Sequence, residues 1–379
     1  MGEHNYRRLV VKLGTSTLTS GTTRISESRL GNLVRQMADI RASGCEVILV
    51  SSGAMAAGRE ALSFPDLPKE IPEKQMLAAV GQSRLMALYE NLFALHGYTV
   101  AQVLLTRGDL ARRPSYLNAR NTLRALLNQN VIPIVNENDA VTTEEIRVGD
   151  NDNLSALVAN LIDADILLML TDQPGLFTAD PRHDSEATLV SEVSGVEIPE
   201  EIWQAAGHTG DSLGTGGMIT KLEAADLARR SGATVVIADG SDANVITEAV
   251  RGEAVGTRFP ALVTTIESRK RFILSGGDGV GSVQIDAGAA QALRTGSSLL
   301  PVGVTLVSGE FERGDTISVI DAGGHVIAHG LASYQASELN KIAGRHSKEI
   351  ESILGYAYGE EAIHRDQLML LPRNQENQE

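Results

Sequence analysis

Leu9-Val10-Val11-Lys12-Leu13-Gly14 is the stretch from which the fold can be read. A short apolar run breaks into glycine, and Thr15, Ser16 and Thr17 follow. It reads as a strand ending in a polar turn. Glu27 to Ser43 then carries Leu30, Leu33, Met37 and Ile40 at helical spacing, and Gly44 ends it. Val47-Ile48-Leu49-Val50 is a buried strand running into Ser51-Ser52-Gly53-Ala54. Strand, helix and strand make a β-α-β unit. Open α/β sheets place ligands at the C-terminal ends of such strands. Lys12 stands where it can reach an anion held by the turn. A solvated lysine on an edge strand is the plainer reading, and the apolar neighbours argue against it.

The alternation continues. Gln75 to Leu95 is expected to be a helix, followed by a strand at 99–105, a helix from Arg120 to Gln129 and a strand at 131–135. That strand ends in Asn136-Glu137-Asn138-Asp139. Next comes Gly149-Asp150-Asn151-Asp152-Asn153, ahead of an apolar helix from Leu154 to Leu161. Asp152 or Asn153 could simply cap this helix. A cap accounts for one residue, not for four consecutive Asp and Asn. A strand at 165–170 ends in Thr171-Asp172, and another at 233–238 ends in Asp239-Gly240. Between them, 180–199 reads as irregular. The pattern runs from Leu9 to about Arg258. It predicts an α/β fold, a mostly parallel open sheet sandwiched by helices.

Near Thr264 the texture changes to short strands and glycines, as in a small β-rich module. Strands are expected at 271–274, 282–285, 305–307 and 317–320, a glycine-rich run at 276–281, and a helix from Ala287 to Leu293. The expected domains are 1–260 and 267–370, with a polar tail at 371–379.

Gly210-Asp211-Ser212-Leu213-Gly214-Thr215-Gly216-Gly217-Met218-Ile219-Thr220-Lys221 reads as a flexible loop feeding a helix. Glycines let backbone N–H groups approach an anion, and the helix adds its positive end. A surface turn is the plainer reading of this loop taken alone. No GxxxxGK[ST] loop, no GxGxxG turn after the first strand and no HExxH occur.

Composition narrows the class. The 379 residues carry a net charge of −15, which disfavours long-range attraction to nucleic acid or an anionic membrane. The single cysteine, Cys45, excludes an intrachain disulfide and a clustered thiolate site, and suits a reducing compartment. Neither a signal peptide nor a membrane span is expected. A cytoplasmic location follows.

Polar groups thus end successive strands at Lys12, Ser51-Ser52, Asn136 to Asp139 and Thr171-Asp172. They would share one sheet edge, with two lysines, several N–H donors and carboxylates for an amine or Mg²⁺. This set suits phosphoryl transfer, where catalysis is mainly positioning and charge neutralisation.

On Val11-Lys12-Leu13-Gly14, Ser51-Ser52-Gly53-Ala54, Asn136-Glu137-Asn138-Asp139, Gly149 to Ala156 and Gly214 to Lys221, the chain resembles the glutamate 5-kinases. These are a family of amino-acid kinases with a C-terminal PUA domain. Ser297-Leu300-Pro301, Ile327 to Gly330, Ile353 to Tyr356 and His364-Arg365-Asp366 extend the resemblance into the β-rich module. It implies ATP-dependent phosphorylation of the L-glutamate side chain to L-glutamyl 5-phosphate, the first step of proline biosynthesis. It implies Lys12, Asp152 and Lys221 as catalytic, and Ser52, Asp139 and Asn151 as glutamate contacts. ATP would be held by Lys12, Thr171, Asp172, Thr215, Gly216, Gly217, Met218, Ile219, Thr220 and Lys221. Asp150 would be the metal ligand for Mg²⁺. It further implies a homodimer or homotetramer, feedback inhibition by proline, and transfer of the product to glutamyl-phosphate reductase.

Two other readings stay open. One is another carboxylate kinase, acting on acetylglutamate or aspartate. The other is a non-catalytic RNA-binding or regulatory protein. Residues 267–379 hold ten Lys and Arg against fifteen Asp and Glu, a charge of −5. An RNA-backbone surface calls for a basic patch, so RNA is not expected as a partner.

Overall fold

The computed structural model describes residues 6–68, 70–142, 150–179, 181, 184–207, 217–265, 267–268, 273 and 280–371. The backbone of Asp150 is described, but its side chain is not. The chain divides into two compact units, Met1–Ala111 with Asn118–Thr265, and Arg112–Leu117 with Ile266–Glu379.

In the first unit the strands are β1 (Arg8–Leu13), β2 (Glu46–Ser51), β3 (Val100–Leu105), β4 (Ile132–Glu137), β5 (Ile166–Thr171), β6 (Thr234–Asp239) and β7 (Thr257–Phe259). They form one sheet in the order β3-β4-β2-β1-β5-β6-β7. The first six are parallel, and β7 closes the edge antiparallel to β6. The helices are α1 (Thr15–Thr19), α2 (Glu27–Ala42), α3 (Ala54–Ala61), α4 (Ile71–Ala94), α5 (Arg107–Ala111), α6 (Arg113–Asn128, of which this unit holds the part from Asn118), α7 (Asp150–Leu161), α8 (Glu200–Gly207), α9 (Met218–Arg230) and α10 (Val245–Arg251).

β1 is buried along its whole length, so both of its faces must be covered. Leu9, Val11 and Leu13 pack with Leu33 and Met37 of α2, Phe93 of α4 and Ile246 of α10. Strand alternation turns Val10 and Lys12 to the opposite face. There α7 lies against β1, β2, β4 and β5, and α9 lies against α7 and β6. The only charge on β1 beyond its first residue therefore faces the two helices that the sequence marks as polar at their starts.

The strand order also contains a reversal. From β1 the chain builds β2, β4 and β3 on one side, then returns to place β5 and β6 on the other. The cleft beyond the C-terminal ends of β1 and β5 is such a topological switch point, where open α/β sheets hold ligands.

Several expectations shift. α6 begins at Arg113 rather than Arg120, and α1, α3, α5, α8 and α10 were not anticipated. α3 and α4 pack so tightly that a Cβ on Gly81 would overlap the Ala54 carbonyl, and one on Gly58 would overlap the Leu77 carbonyl. Helix packing of this kind needs glycine at the contact. Its sequence signal is two glycines a helix apart, which periodicity does not weigh.

The second unit has a sheet ordered β12-β11-β10-β8-β9, with β8 (Gly281–Ile285), β9 (Val304–Gly309), β10 (Thr316–Ile320), β11 (Val326–Leu331) and β12 (Leu368–Leu370). β8 and β10 are parallel and the other pairs antiparallel. The expected helix is Ala287–Arg294, capped by the Asp286 side chain accepting from Ala289 N–H. Val283, Ile285, Ile317, Val319, Tyr334 and Leu339 centre its own core. The strand expected at 271–274 lies outside the described residues except for Ile273, which is not in a strand. The run at 276–281 is described only from 280, and the tail at 371–379 only at Leu371.

Candidate active site

The centre of the site is a buried carboxylate between two buried ammonium groups. Lys12 projects from β1, next to Val50 of β2 and Met169 of β5 in register. Asp152 lies in the first turn of α7 and Lys221 in the first turn of α9. Lys12 Nζ is 2.6 Å from Asp152 Oδ1, and Lys221 Nζ is 3.4 Å from Asp152 Oδ2. Thr220 Oγ1 donates to the same Oδ2 at 2.8 Å. Relative exposure is 0% for Asp152, 4% for Lys12 and 6% for Lys221. Two ammonium groups thus share one carboxylate in a place that water barely reaches. Such a cluster is costly alone and favours an anion.

Burial by itself pushes the Asp152 carboxyl up. The Lys12 and Lys221 ammonium groups, with hydrogen bonds from Lys12 and Thr220, outweigh it and hold the carboxyl at about 2. Burial pushes the Lys221 ammonium below its ordinary value, and Lys12 adds to that. Asp152 and Asp172 oppose it. Asp152 is an ionised hinge for two lysines rather than a proton donor.

Asp152 does not cap α7. The helix starts at Asp150, and the Asp/Asn run forms its first turn. Likewise α9 starts at Met218, so Met218, Ile219, Thr220 and Lys221 are helical rather than loop residues. Gly217 is its N-cap, with no side-chain cap bond. The N-cap residue of α9 therefore claims none of its first-turn N–H groups, which suits an anion-binding helix start. Met218 is buried and Ile219 exposed.

On the β2 and β4 side, Asn151 links the strand ends. Its Nδ2 donates to Ser52 Oγ at 3.0 Å and to Asn136 Oδ1 at 3.0 Å. The Glu137 N–H donates to Asn136 Oδ1 at 2.9 Å and to Asn151 Oδ1 at 3.3 Å. Neighbouring Ser51 points the other way and shares a 2.6 Å bond with the Tyr89 hydroxyl. Alternation thus makes Ser51 a core residue and Ser52 a site residue. Asp139 lines a pocket of about 250 Å³ between α4 and the ends of β3 and β4, with Ala54, Ala78 and Gln82.

On the β5 side, Thr171 ends the strand, buried, and its hydroxyl donates to Asp172 Oδ1 at 3.1 Å. The arrangement therefore splits into an amide- and acid-bearing side at β2 and β4 and a side at β5 and the start of α9, with the lysine–aspartate cluster between them. Thr215 and Gly216 lie outside the described residues, as does the Asp150 side chain. Asn136 was quoted in its motif but given no role. It is 2% exposed and tied to Asn151 and Gln82. An amide at a strand end beside an Asp/Asn-rich turn was the available signal.

Residues 7–239 match the model of the amino acid kinase family, and 281–354 match the PUA domain. The chain is 54% identical over 367 residues to the glutamate 5-kinase of Shewanella amazonensis, covering 97% of this chain and 96% of that protein. It is 53% identical over 365 residues to the glutamate 5-kinase of Herpetosiphon aurantiacus, covering 96% and 98%. The solved UMP kinase of Bacillus anthracis is 17% identical over 68% of this chain and 97% of that one. Its TM-score is 0.46, too loose a likeness to bear on the fold. With the switch-point cleft and its two lysines in place, the chain belongs to the amino acid kinase family, in its branch of glutamate 5-kinases with a C-terminal PUA domain.

Proposed function

We propose that this chain uses ATP to phosphorylate the side-chain carboxylate of L-glutamate, forming L-glutamyl 5-phosphate in the first step of proline biosynthesis. The observation that carries the chemistry is the buried Lys12–Asp152–Lys221 cluster at the switch point. The likeness to glutamate 5-kinases over nearly the whole chain supports the substrate.

The nucleophile is a carboxylate with an ordinary pKa of about 4.3, so it is ionised at neutral pH. No general base is needed. One carboxylate oxygen attacks the γ-phosphorus of ATP. The bond from that phosphorus to the bridging oxygen breaks, and ADP leaves. The obstacle is repulsion between two anions. Lys12 and Lys221 offset the charge spread over the transferring group, in a site too dry for water to screen them. Asp152 keeps both lysines aimed, and its own charge is spent on them. Ser52, its O–H left free to donate by the bond from Asn151, receives a carboxylate end of glutamate, and Asp139 receives its ammonium. Thr171, Asp172 and the 215–221 segment take the nucleotide.

Mg²⁺ would accompany the nucleotide and neutralise phosphate charge. Among the described residues no group of three His, Cys, Asp or Glu converges to hold a metal. Asp152 is committed to the lysines and does not suit a metal. Asp150 is the proposed ligand, alongside the nucleotide's own oxygens.

The remaining proposals rest on family likeness. They are a homodimer or homotetramer, inhibition by proline at the glutamate pocket, and transfer of the labile acyl phosphate to glutamyl-phosphate reductase. A cytoplasmic location agrees with the single, buried thiol of Cys45. No helix among the described residues is long and apolar enough to cross a membrane.

The test is a coupled ADP-release assay over L-glutamate, N-acetylglutamate and L-aspartate. Turnover confined to glutamate supports the reading. Turnover with only one of the other acids, or with none of the three, overturns it.

A further inference from the structure

Asn136 is a junction whose bonds all have a fixed direction. Its Oδ1 accepts from the Glu137 N–H at 2.9 Å and from Asn151 Nδ2 at 3.0 Å. Its Nδ2 donates to Gln82 Oε1 at 2.8 Å. A backbone N–H only donates, and the Glu137 N–H also reaches Asn151 Oδ1 at 3.3 Å. Both asparagines are therefore turned oxygen-first toward Glu137. At one end of the chain, Asn151 Nδ2 donates to Ser52 Oγ, so the Ser52 O–H is left to donate elsewhere. At the other end Gln82 must accept through Oε1, which leaves its Nε2 as a donor.

Gln82 Nε2 is buried and has no hydrogen-bond partner among the described residues. Native proteins keep few such donors, because an unmet one is unfavourable. Gln82 sits on α4 and lines the 250 Å³ pocket with Asp139, Glu137 and Gln102. That pocket combines an amide donor with acidic residues and is walled by Ala54 and Ala78. An ammonium suits its acids, and a carboxylate suits its amide.

We propose that Gln82 determines specificity for a free α-carboxylate, its Nε2 donating to that group of the amino-acid substrate, with Asn136 as the positioning residue that keeps the amide donor-first. The proposal rests on the glutamate reading above and adds to it the group that distinguishes a free amino acid from its α-amide. Gln82 is not needed for phosphoryl transfer itself, so its effect belongs in substrate binding.

The test is Gln82→Glu, assayed with L-glutamate and with isoglutamine, the α-amide of glutamate. The new carboxylate still accepts from Asn136, repels an α-carboxylate and accepts from an α-amide. The ratio of kcat/KM for isoglutamine to that for glutamate should rise at least about tenfold, as for a polar contact turned from match to mismatch. Calorimetric binding of both ligands should shift in the same sense, with the KM for ATP unchanged. Gln82→Met removes the donor without adding charge and serves where Q82E fails to fold. It should raise the glutamate KM more than it lowers kcat, and leave isoglutamine less affected. Equal losses on both ligands, or an unchanged ratio, would mean a merely structural role and overturn the proposal. A wild-type enzyme inactive on glutamate would instead overturn the underlying function.

Discussion

Lys12 Nζ and Asp152 Oδ1 lie 2.6 Å apart, with 6% and 0% of their side chains exposed, although one residue ends a strand and the other begins a helix far along the chain. Burying this pair is expensive in desolvation, and Lys221 shares the same carboxylate. The protein sustains that cost at the switch-point cleft, where the proposed phosphoryl group would meet both ammonium groups.

Lys221→Ala should lower kcat by about 10²-fold, a loss of roughly 2.7 kcal/mol of transition-state stabilisation. The glutamate KM should change little, because the charge is used on the transferring group. Steady-state ADP release measures both, and near-normal turnover would remove Lys221 from the mechanism.

Asp139→Ala acts on the other half of the site. It should raise the glutamate KM by about tenfold or more while the ATP KM holds, since only the substrate ammonium loses its partner. An unchanged glutamate KM would refute the assignment.

Asp152→Asn removes the carboxylate that Lys12 and Lys221 share in a buried place. Removing one partner of a buried ion pair costs about 3–5 kcal/mol, so the melting temperature should drop clearly. Acid adds a second signature. The folded carboxyl titrates at about 2, below its ordinary 3.8. Its stabilisation is complete above 3.8 and disappears as pH falls toward about 2. Acid unfolding followed by circular dichroism should lose that component in D152N.

The alkaline side reports on Lys221. Its ammonium is held below the ordinary 10.5, chiefly by burial. As pH rises through that lowered value, the phosphate-stabilising charge is lost and kcat should fall. Asp152 pushes the Lys221 value up, so D152N should move this limb to lower pH. A pH–kcat profile that does not move would separate Asp152 from Lys221.

The C-terminal unit should not bind RNA in a saturable way, even at low salt, because residues 267–379 carry a charge of −5. A filter-binding titration with the full chain decides this. Tight, salt-sensitive binding would revive the RNA-binding reading.

Much of this was legible in the residues. Buried β1, the helix from Glu27 and the polar strand ends at Ser52, Asn136 and Thr171 follow from period and punctuation. The start of α9 was not legible. The glycines of 214–217 suggested a loop continuing to Lys221, yet the helix already begins at Met218. That places Thr220 where its hydroxyl reaches Asp152. α6 began early for a related reason. Arg113 to Asn118 lack apolar periodicity, and local propensity is weak against tertiary context.

The sequence by itself determined a parallel α/β sheet with its polar residues gathered along one edge, because side-chain period and turn chemistry are local properties. Only the tertiary structure decided which of those residues meet. The order β3-β4-β2-β1-β5-β6 sets β1 beside β5 and lays α7 and α9 together over Lys12. The pairing of Asp152 with two lysines, and the one-way chain of amides from Ser52 to Gln82, depend on contacts between segments far apart in the chain. Such contacts are set by strand order and helix packing, and no local period encodes them.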